Sequence, residues 1–122
     1  MGQGKSNFDL EERLIRFAVR MIQLAETLPR TSTGRHIAGQ LVKSGTSPAP
    51  NYGEAQGAES RSDFIHKMRI CLKELRESRV WLKMIIQAEL IKPASRMESL
   101  IDETDQLISI FVKSIKTANQ KK

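Results

Sequence analysis

The amino-acid sequence predicts an all-α protein, an antiparallel up-down bundle of four helices in a single domain. Apolar residues recur at intervals of three and four along most of the 122 residues, which is the period of amphipathic helices. Aromatic residues make up only 5% of the chain, and its frequent Leu, Ile, Met and Ala favour helices over sheets. Short connections between successive helices imply antiparallel neighbours. We assign residues 1–122 to one domain, with helices at about 9–28, 32–59, 62–90 and 95–118 and flexible residues at 1–7 and 119–122.

The first helix is predicted to begin at Asp9, because Asp9 and Glu12 have the spacing of a capping box. Pro29 ends it. Its apolar residues spread over about half of the circumference, which is wider than the roughly 100° stripe of a surface helix. The helix therefore carries more apolar surface than a simple bundle uses. Its remaining arc carries Arg13, Arg16 and Arg20.

The second helix is predicted to begin at Ser32 or Thr33 and to continue through the segment SGTSPAPNYGEAQGAES, residues 44–60. Two prolines and three glycines in that segment are typical of a loop, yet the apolar and small residues keep the spacing of a bundle seam. Pro48 and Pro50 each remove a backbone donor and clash with the preceding turn. We expect a kinked helix near Gly45, with a full break at the prolines as the open alternative.

The third helix is predicted to run from Ser60 or Ser62 to about Leu90, with Ser60 and Asp63 as its capping pair. It shows an apolar stripe, a stripe of mixed character and a wholly basic stripe. The basic stripe consists of Arg69, Lys73, Arg76 and Lys83. The fourth helix is predicted to follow Pro93, with Ser95 and Glu98 as its cap.

Composition and charge narrow the classes of function. The formal net charge is +6 and the isoelectric point is about 9.8, so an acidic partner and a merely solvated basic surface both fit. No run reaches the roughly 18 apolar residues of a membrane span, and the amino terminus lacks an apolar signal core. Cys71 is the single cysteine, which excludes an internal disulfide. We expect a cytoplasmic protein without a membrane partner.

One long segment resembles a known family. Residues 40–82, QLVKSGTSPAPNYGEAQGAESRSDFIHKMRICLKELRESRVWL, are similar to the core signature of the small four-helix-bundle proteins encoded by intervening sequences in bacterial 23S ribosomal RNA genes. Pro48 and Gly53 depart from the family pattern. The resemblance implies a ring-like homopentamer, no established enzymatic activity and a suspected nucleic-acid role. Related proteins are accessory factors of retroelements, so a reverse transcriptase is an expected partner beside RNA or DNA.

A set of polar residues follows helical spacing on the predicted second and third helices. We interpret it as a buried or interfacial network that fixes helix register and oligomeric state, with a functional site as the alternative. No nucleophile in it has an evident base, and Asp63 with His66 is the only carboxylate and histidine pair at metal-binding spacing. We therefore predict no catalytic residue, metal, cofactor or small-molecule substrate. The network consists of Ser44, Ser47, Asn51, Glu54, Lys67, Glu74 and Glu77.

The two basic stripes are the candidate nucleic-acid-binding surface. Repeated around a ring, they would sum into a positive field that attracts phosphate backbones without reading bases. The function predicted from sequence is a non-enzymatic oligomeric bundle that binds nucleic acid or assists a nucleic-acid enzyme. The alternative is a structural protein-protein interaction module whose basic charge is incidental. The candidate binding residues are Arg13, Arg16, Arg20, Arg69, Lys73, Arg76 and Lys83.

Overall fold

A computed structural model describes the backbone of residues 2–121 and the side chains of residues 10–121, and within that part the fold is all-α with no strand. The helix α2 is followed by α3 after the single residue Ser47, so these two segments form one of four long helical units. The all-α class predicted from sequence is therefore confirmed. The elements are α1 (Gly2–Thr27), α2 (Ser32–Thr46), α3 (Pro48–Gln56), α4 (Arg61–Gln87), a 3₁₀ turn (Ala94–Met97) and α5 (Glu98–Gln120).

The ends of α1 and α5 differ from the predicted boundaries. Helix α1 begins at Gly2 rather than Asp9, so most of the segment predicted to be flexible at 1–7 is helical. The side chain of Asp9 lies outside the described residues, and the predicted capping box with Glu12 stays a prediction. Helix α5 continues to Gln120, two residues beyond the predicted end. Residues 1 and 122 also lie outside the described part.

The hydrogen-bond pattern is interrupted at Ser47, between α2 and α3. Ser47 keeps helical dihedral angles, φ −74° and ψ −37°, so the chain continues in the same helical sense. Pro48 occupies the first position of α3, where its missing N–H costs little. Proline therefore divides the predicted second helix into two, and residues 44–56 are helical apart from this one position.

The predicted cap of α4 is confirmed, whereas that of α5 is wrong. The Ser60 hydroxyl accepts a hydrogen bond from the backbone N–H of Asp63 at 3.0 Å. Ser95, in contrast, lies within the 3₁₀ turn, and Met97 immediately precedes α5 without a side-chain cap. Helix α5 is therefore initiated by the 3₁₀ turn that leads into it, and not by a side-chain cap.

Helix α4 ends at Gln87, three residues before the predicted Leu90, because the chain turns left-handed at Glu89 with φ 57°. The backbone N–H groups of Glu89 and Leu90 donate to the carbonyls of Ile86 and Ile85. This pair of bonds is the Schellman arrangement that satisfies the last carbonyls of a helix.

All four helical units contribute to one apolar core. Tyr52 of α3 meets Phe111 of α5 edge to face, with ring centroids 6.0 Å apart. No buried side-chain nitrogen or oxygen in the described part lacks a hydrogen-bond partner, so the core is well satisfied. No described helix is long and apolar enough to cross a membrane. Fully buried core residues include Leu14, Phe17, Met21, Leu41, Cys71, Leu75, Leu82, Ile85, Leu107 and Phe111.

Helices α1 and α2 approach closely at Gly45. A Cβ atom built at Gly45 would lie 2.6 Å from Cγ of Met21, whereas one built at Gly39 would meet nothing within 4 Å. Of these two glycines of α2, Gly45 alone is therefore required by packing.

Candidate nucleic-acid interface

An open groove runs between the outer sides of α4 and α5. Its volume is about 380 Å³. Three cationic side chains border it, and none of its described lining residues is acidic. Aliphatic side chains provide its floor, and two amides lie at the carboxyl end of α5. The lining residues are Arg69, Leu72, Arg76, Val112, Ile115, Lys116, Asn119 and Gln120.

The basic stripe of α4 reaches this groove and extends beyond it. Arg69 and Arg76 are seven residues apart on α4 and line the groove together with Lys116 of α5. Lys73 and Lys83 are exposed on the same helix. All four basic residues predicted on α4 are thus accessible to solvent, which a phosphate-binding surface requires.

The basic stripe of α1 is largely occupied by bonds to neighbouring side chains. Arg13 donates two hydrogen bonds to the carboxylate of Glu103 on α5, at 3.0 and 2.8 Å. The hydrogen bond that Arg13 donates to Glu103 raises the pKa of Arg13, so this guanidinium stays charged. Arg20 donates to the hydroxyl of Ser99 at 2.7 Å, and Arg16 pairs with Glu12 on the exposed surface. Two of these three arginines therefore join α1 to α5 instead of projecting freely.

The predicted polar network is present only in parts. Its buried part is a pair of hydroxyls, in which Ser78 of α4 donates to Ser44 of α2 at 2.9 Å. Both serines are fully buried. Ser78 was not among the predicted members, although its position on the same face as Leu75 and Leu82 follows from helical spacing.

The partners of Asn51 differ from those expected. The Asn51 amide donates to the carbonyl and the hydroxyl of Ser47, each at 3.0 Å. These bonds link α3 to Ser47, the residue at the interruption, whereas the predicted network joined residues of two successive helices. Asn51 thus holds the break in one geometry.

The remaining members of the predicted network lie towards the surface. Lys67 of α4 forms an ion pair of 2.7 Å with Glu54 of α3, and this hydrogen-bonded carboxylate raises the pKa of Lys67. Glu77 accepts the indole N–H of Trp81 at 3.2 Å. Glu74 is half-buried on α4. The predicted residues therefore form separate local contacts, of which the bonds of Ser44 and Lys67 join two helices.

The single cysteine lies inside this seam. Cys71 is fully buried, and its thiol donates to the carbonyl of Pro48 at 3.4 Å. Burial raises the pKa of Cys71 to about 12, so the thiol stays protonated and poorly nucleophilic. The described residues contain no group of three or more His, Cys, Asp or Glu side chains that could hold a metal ion.

A second opening of about 570 Å³ lies beside the start of α4 and the carboxyl-terminal part of α5, where Arg61, Lys113 and Lys121 contribute cations. Arg61 donates a hydrogen bond to the backbone carbonyl of Lys121. This link joins the start of α4 to the end of α5 across the opening. We assign the opening no binding role.

Sequence reasoning missed the contribution of α5 to the basic groove. Lys116 lies inside the predicted fourth helix but was not included in either basic stripe, yet it lines the groove together with Arg69 and Arg76. Helical spacing was a usable signal, since Lys116 follows the half-exposed Val112 by four residues. The rotation of α5 relative to α4 was not available from spacing alone.

The fold and this groove define a class, a small all-α protein of four helical units with a cationic groove on its outside. Residues 6–113 match the family of 23S rRNA-intervening sequence proteins, and the chain belongs to that family. A crystal structure of a protein of unknown function from the S23 ribosomal protein family of Bacteroides thetaiotaomicron VPI-5482 is similar to this chain, with 33% identity and a TM-score of 0.81. The match covers 88% of this chain and 98% of that one. A comparison with curated proteins found no match.

Proposed function

We propose that this protein is a non-enzymatic, nucleic-acid-binding bundle that acts through the groove between α4 and α5, on its own or beside a nucleic-acid enzyme such as a reverse transcriptase. The observation that carries the proposal is the arrangement of Arg69, Arg76 and Lys116 along one groove without an acidic neighbour in its lining. Such a surface suits a phosphate backbone.

The groove is better suited to this role than the arginines of α1. A guanidinium that is paired with a carboxylate has part of its charge neutralised, which weakens its attraction for a phosphate. Arg13 is paired with Glu103 in this way, whereas Arg69 and Arg76 are exposed. Lys73 and Lys83 extend the same positive surface along α4. The proposed contacts go to backbone phosphates, so we expect weak dependence on base sequence.

The proposed assembly is an antiparallel up-down bundle that associates into a ring-like homopentamer. Two contacts support the antiparallel pairing of α4 and α5, because Arg61 bonds to Lys121 while Arg79 pairs with Asp105. The pentamer follows from the family resemblance. A ring would repeat the cationic groove once per protomer and strengthen binding to a polyanion through multiple contacts. A cytoplasmic location belongs to the same proposal.

The test measures how salt affects binding. A labelled single strand and a duplex of the same sequence are titrated with protein from about 50 to about 300 mM salt, and fluorescence anisotropy reports the affinity. Neutralised phosphates release counterions, so log affinity falls against log salt by about 0.7 per contact on single strands and about 0.9 on duplex DNA. Replacing Arg69, Arg76 and Lys116 together by Gln should weaken binding and flatten that slope.

The matched control changes the same amount of charge elsewhere. Arg30, Arg35 and Arg96 are exposed and lie outside the α4–α5 groove, so their replacement by Gln should change the slope much less. Both variants must keep the oligomeric mass of the parent. A parent that fails to bind even at the lowest salt supports the structural interaction module instead, and equal slopes for the two variants move the contact away from the groove.

A further inference from the structure

The floor of the α4–α5 groove is apolar and partly open to solvent. Leu72, Val112 and Ile115 are its aliphatic lining residues. Val112 is 39% exposed, and Leu72 is half-buried. Phosphate oxygens gain nothing from apolar side chains, whereas an apolar group that covers them is removed from water together with them. The floor therefore favours an occupant that has apolar as well as charged surface.

Cations border this floor on both helices. Arg69 and Arg76 line the groove from α4 and Lys116 lines it from α5, and none of the described lining residues is acidic. Seven residues of α-helix span about 10 Å, so the two arginines can contact different phosphates of one strand. Charge complementarity therefore favours an occupant with several negative charges along its length.

Two side-chain amides lie at the carboxyl end of α5. Asn119 and Gln120 are exposed and line the groove. Each amide offers both a donor and an acceptor, and so does the edge of a nucleobase. In a duplex the Watson–Crick edges are paired and the base faces are stacked. An unpaired nucleotide exposes both its edge and its face, so it matches the amides and the apolar floor at once.

The size and shape of the groove also suit a nucleotide that remains part of a strand. Its volume of about 380 Å³ lies at the lower end of the range for sites that hold small organic ligands, about 300 to 1,000 Å³. A closed cavity would hold only a free ligand. An open groove lets the chain continue on both sides of the nucleotide that it holds.

We propose that the groove holds an unpaired nucleotide of a single strand, with the face of its base on Val112 and its flanking phosphates beside the three cations. The inference deepens the proposed function and rests on it, because it names single-stranded nucleic acid as the substrate class. Apolar side chains contact extruded bases in this way in proteins that flip bases. None of the described lining residues is aromatic, so the floor accommodates any base and the dependence on sequence stays weak.

The test compares three probes that carry the same fluorescent label. They are a DNA single strand of mixed sequence, the duplex of that sequence, and a strand of equal length whose central nucleotides are abasic. The abasic strand keeps every phosphate and lacks the bases that would contact the floor. Fluorescence anisotropy at a fixed salt concentration of about 100 mM gives the affinity for each probe. We expect the parent to bind the intact single strand about threefold to tenfold more tightly than the abasic strand.

Val112→Ser removes the apolar contact without changing the charge, and serine and valine have similar helix propensities. It should lower the affinity for the intact single strand by about threefold to tenfold and leave the affinities for the duplex and the abasic strand unchanged. Val112→Ile keeps an apolar side chain and should keep the affinities of the parent. Val80→Ser is the matched control, because Val80 is 50% exposed on α4 and does not line the groove. All proteins are compared at equal oligomeric mass and with equal circular dichroism spectra.

The opposing outcomes distinguish this inference from the proposed function. A parent that binds the abasic strand as tightly as the intact strand contacts phosphates alone, which overturns the inference and leaves the proposed function standing. The inference also fails if Val112→Ser weakens binding of all three probes equally, or if Val80→Ser lowers the affinity for the single strand as much as Val112→Ser does. A parent that binds none of the probes even at about 50 mM salt overturns both proposals and leaves an acidic protein segment as the occupant of the groove.

Discussion

Two buried hydroxyls, those of Ser44 and Ser78, join α2 to α4 through one hydrogen bond. Ser78 donates to Ser44 at 2.9 Å, and Ser44 lies 3.5 Å from the carbonyl of Leu41. A buried polar group that loses its partner cannot turn to water, so truncating one hydroxyl affects the other. The register of the two helices is therefore fixed here by a specific hydrogen bond and not by the packing of apolar side chains.

Removing both of these hydroxyls should destabilise the protein less than the sum of the two single removals. We expect Ser44→Ala and Ser78→Ala each to lower the free energy of unfolding by about 1 to 3 kcal/mol. The double variant should cost less than the sum of the two, because it leaves no unpaired hydroxyl. Urea denaturation followed by circular dichroism measures all four proteins of the cycle. Strict additivity would show that the two serines do not interact.

Two glycines of α2, Gly39 and Gly45, differ in whether the surrounding structure leaves room for a side chain. Gly45 allows Met21 to pack against the backbone of α2, whereas Gly39 faces open space. We expect Gly45→Ala to lower the free energy of unfolding by about 1 to 3 kcal/mol, as overpacking does. Gly39→Ala should instead raise it by about 0.5 to 1 kcal/mol, because alanine restricts the unfolded chain and favours helix.

Thermal and urea unfolding of these two variants tests the close contact between α1 and α2. The pair is internally matched, since both changes add one methyl group to the same helix. If Gly45→Ala stabilises the protein as much as Gly39→Ala, the close approach of α1 and α2 is wrong.

Elements whose signals are local were predictable from the sequence, and contacts between elements were not. The cap of α4 is encoded within four residues, from Ser60 to Asp63, and the apolar period shows that each segment is helical. The bond from Arg13 to Glu103 joins residues 90 positions apart. Its formation depends on how α1 and α5 are rotated, and the sequence alone therefore assigned Arg13 to a free basic stripe. The same reason explains why Lys116 was missed.

At the scale of the whole molecule, Cys71 reports whether the bundle is closed. Its thiol is fully buried, and burial raises its pKa to about 12. Below the ordinary thiol pKa the folded and unfolded chains both keep the proton, so stability there does not depend on this group. Above it only the unfolded chain releases the proton readily, and the free energy of unfolding should fall as pH rises towards 12.

We expect Cys71 to resist a disulfide reagent such as DTNB at about pH 8 and to react only as the bundle opens. The extent of reaction with increasing denaturant should follow the loss of helical circular dichroism. A variant with a second cysteine, Ser109→Cys, is the control, because Ser109 is exposed and should react at once with one equivalent. Rapid reaction of the native parent would contradict the burial of Cys71.

The segment that contains Ser47 has a consequence for how relatives of this protein are compared. Ser44 and Tyr52 are buried, Gly45 lies against Met21, and Asn51 donates to Ser47 at the break. The residues of this segment therefore serve helix packing. Similarity between two proteins in this segment indicates a shared fold and does not by itself indicate a shared function. We expect relatives with different partners to keep the segment while their α4–α5 grooves diverge in charge. Grouping the family by its α4–α5 groove residues should therefore separate functional subtypes that cannot be distinguished by the segment around Ser47.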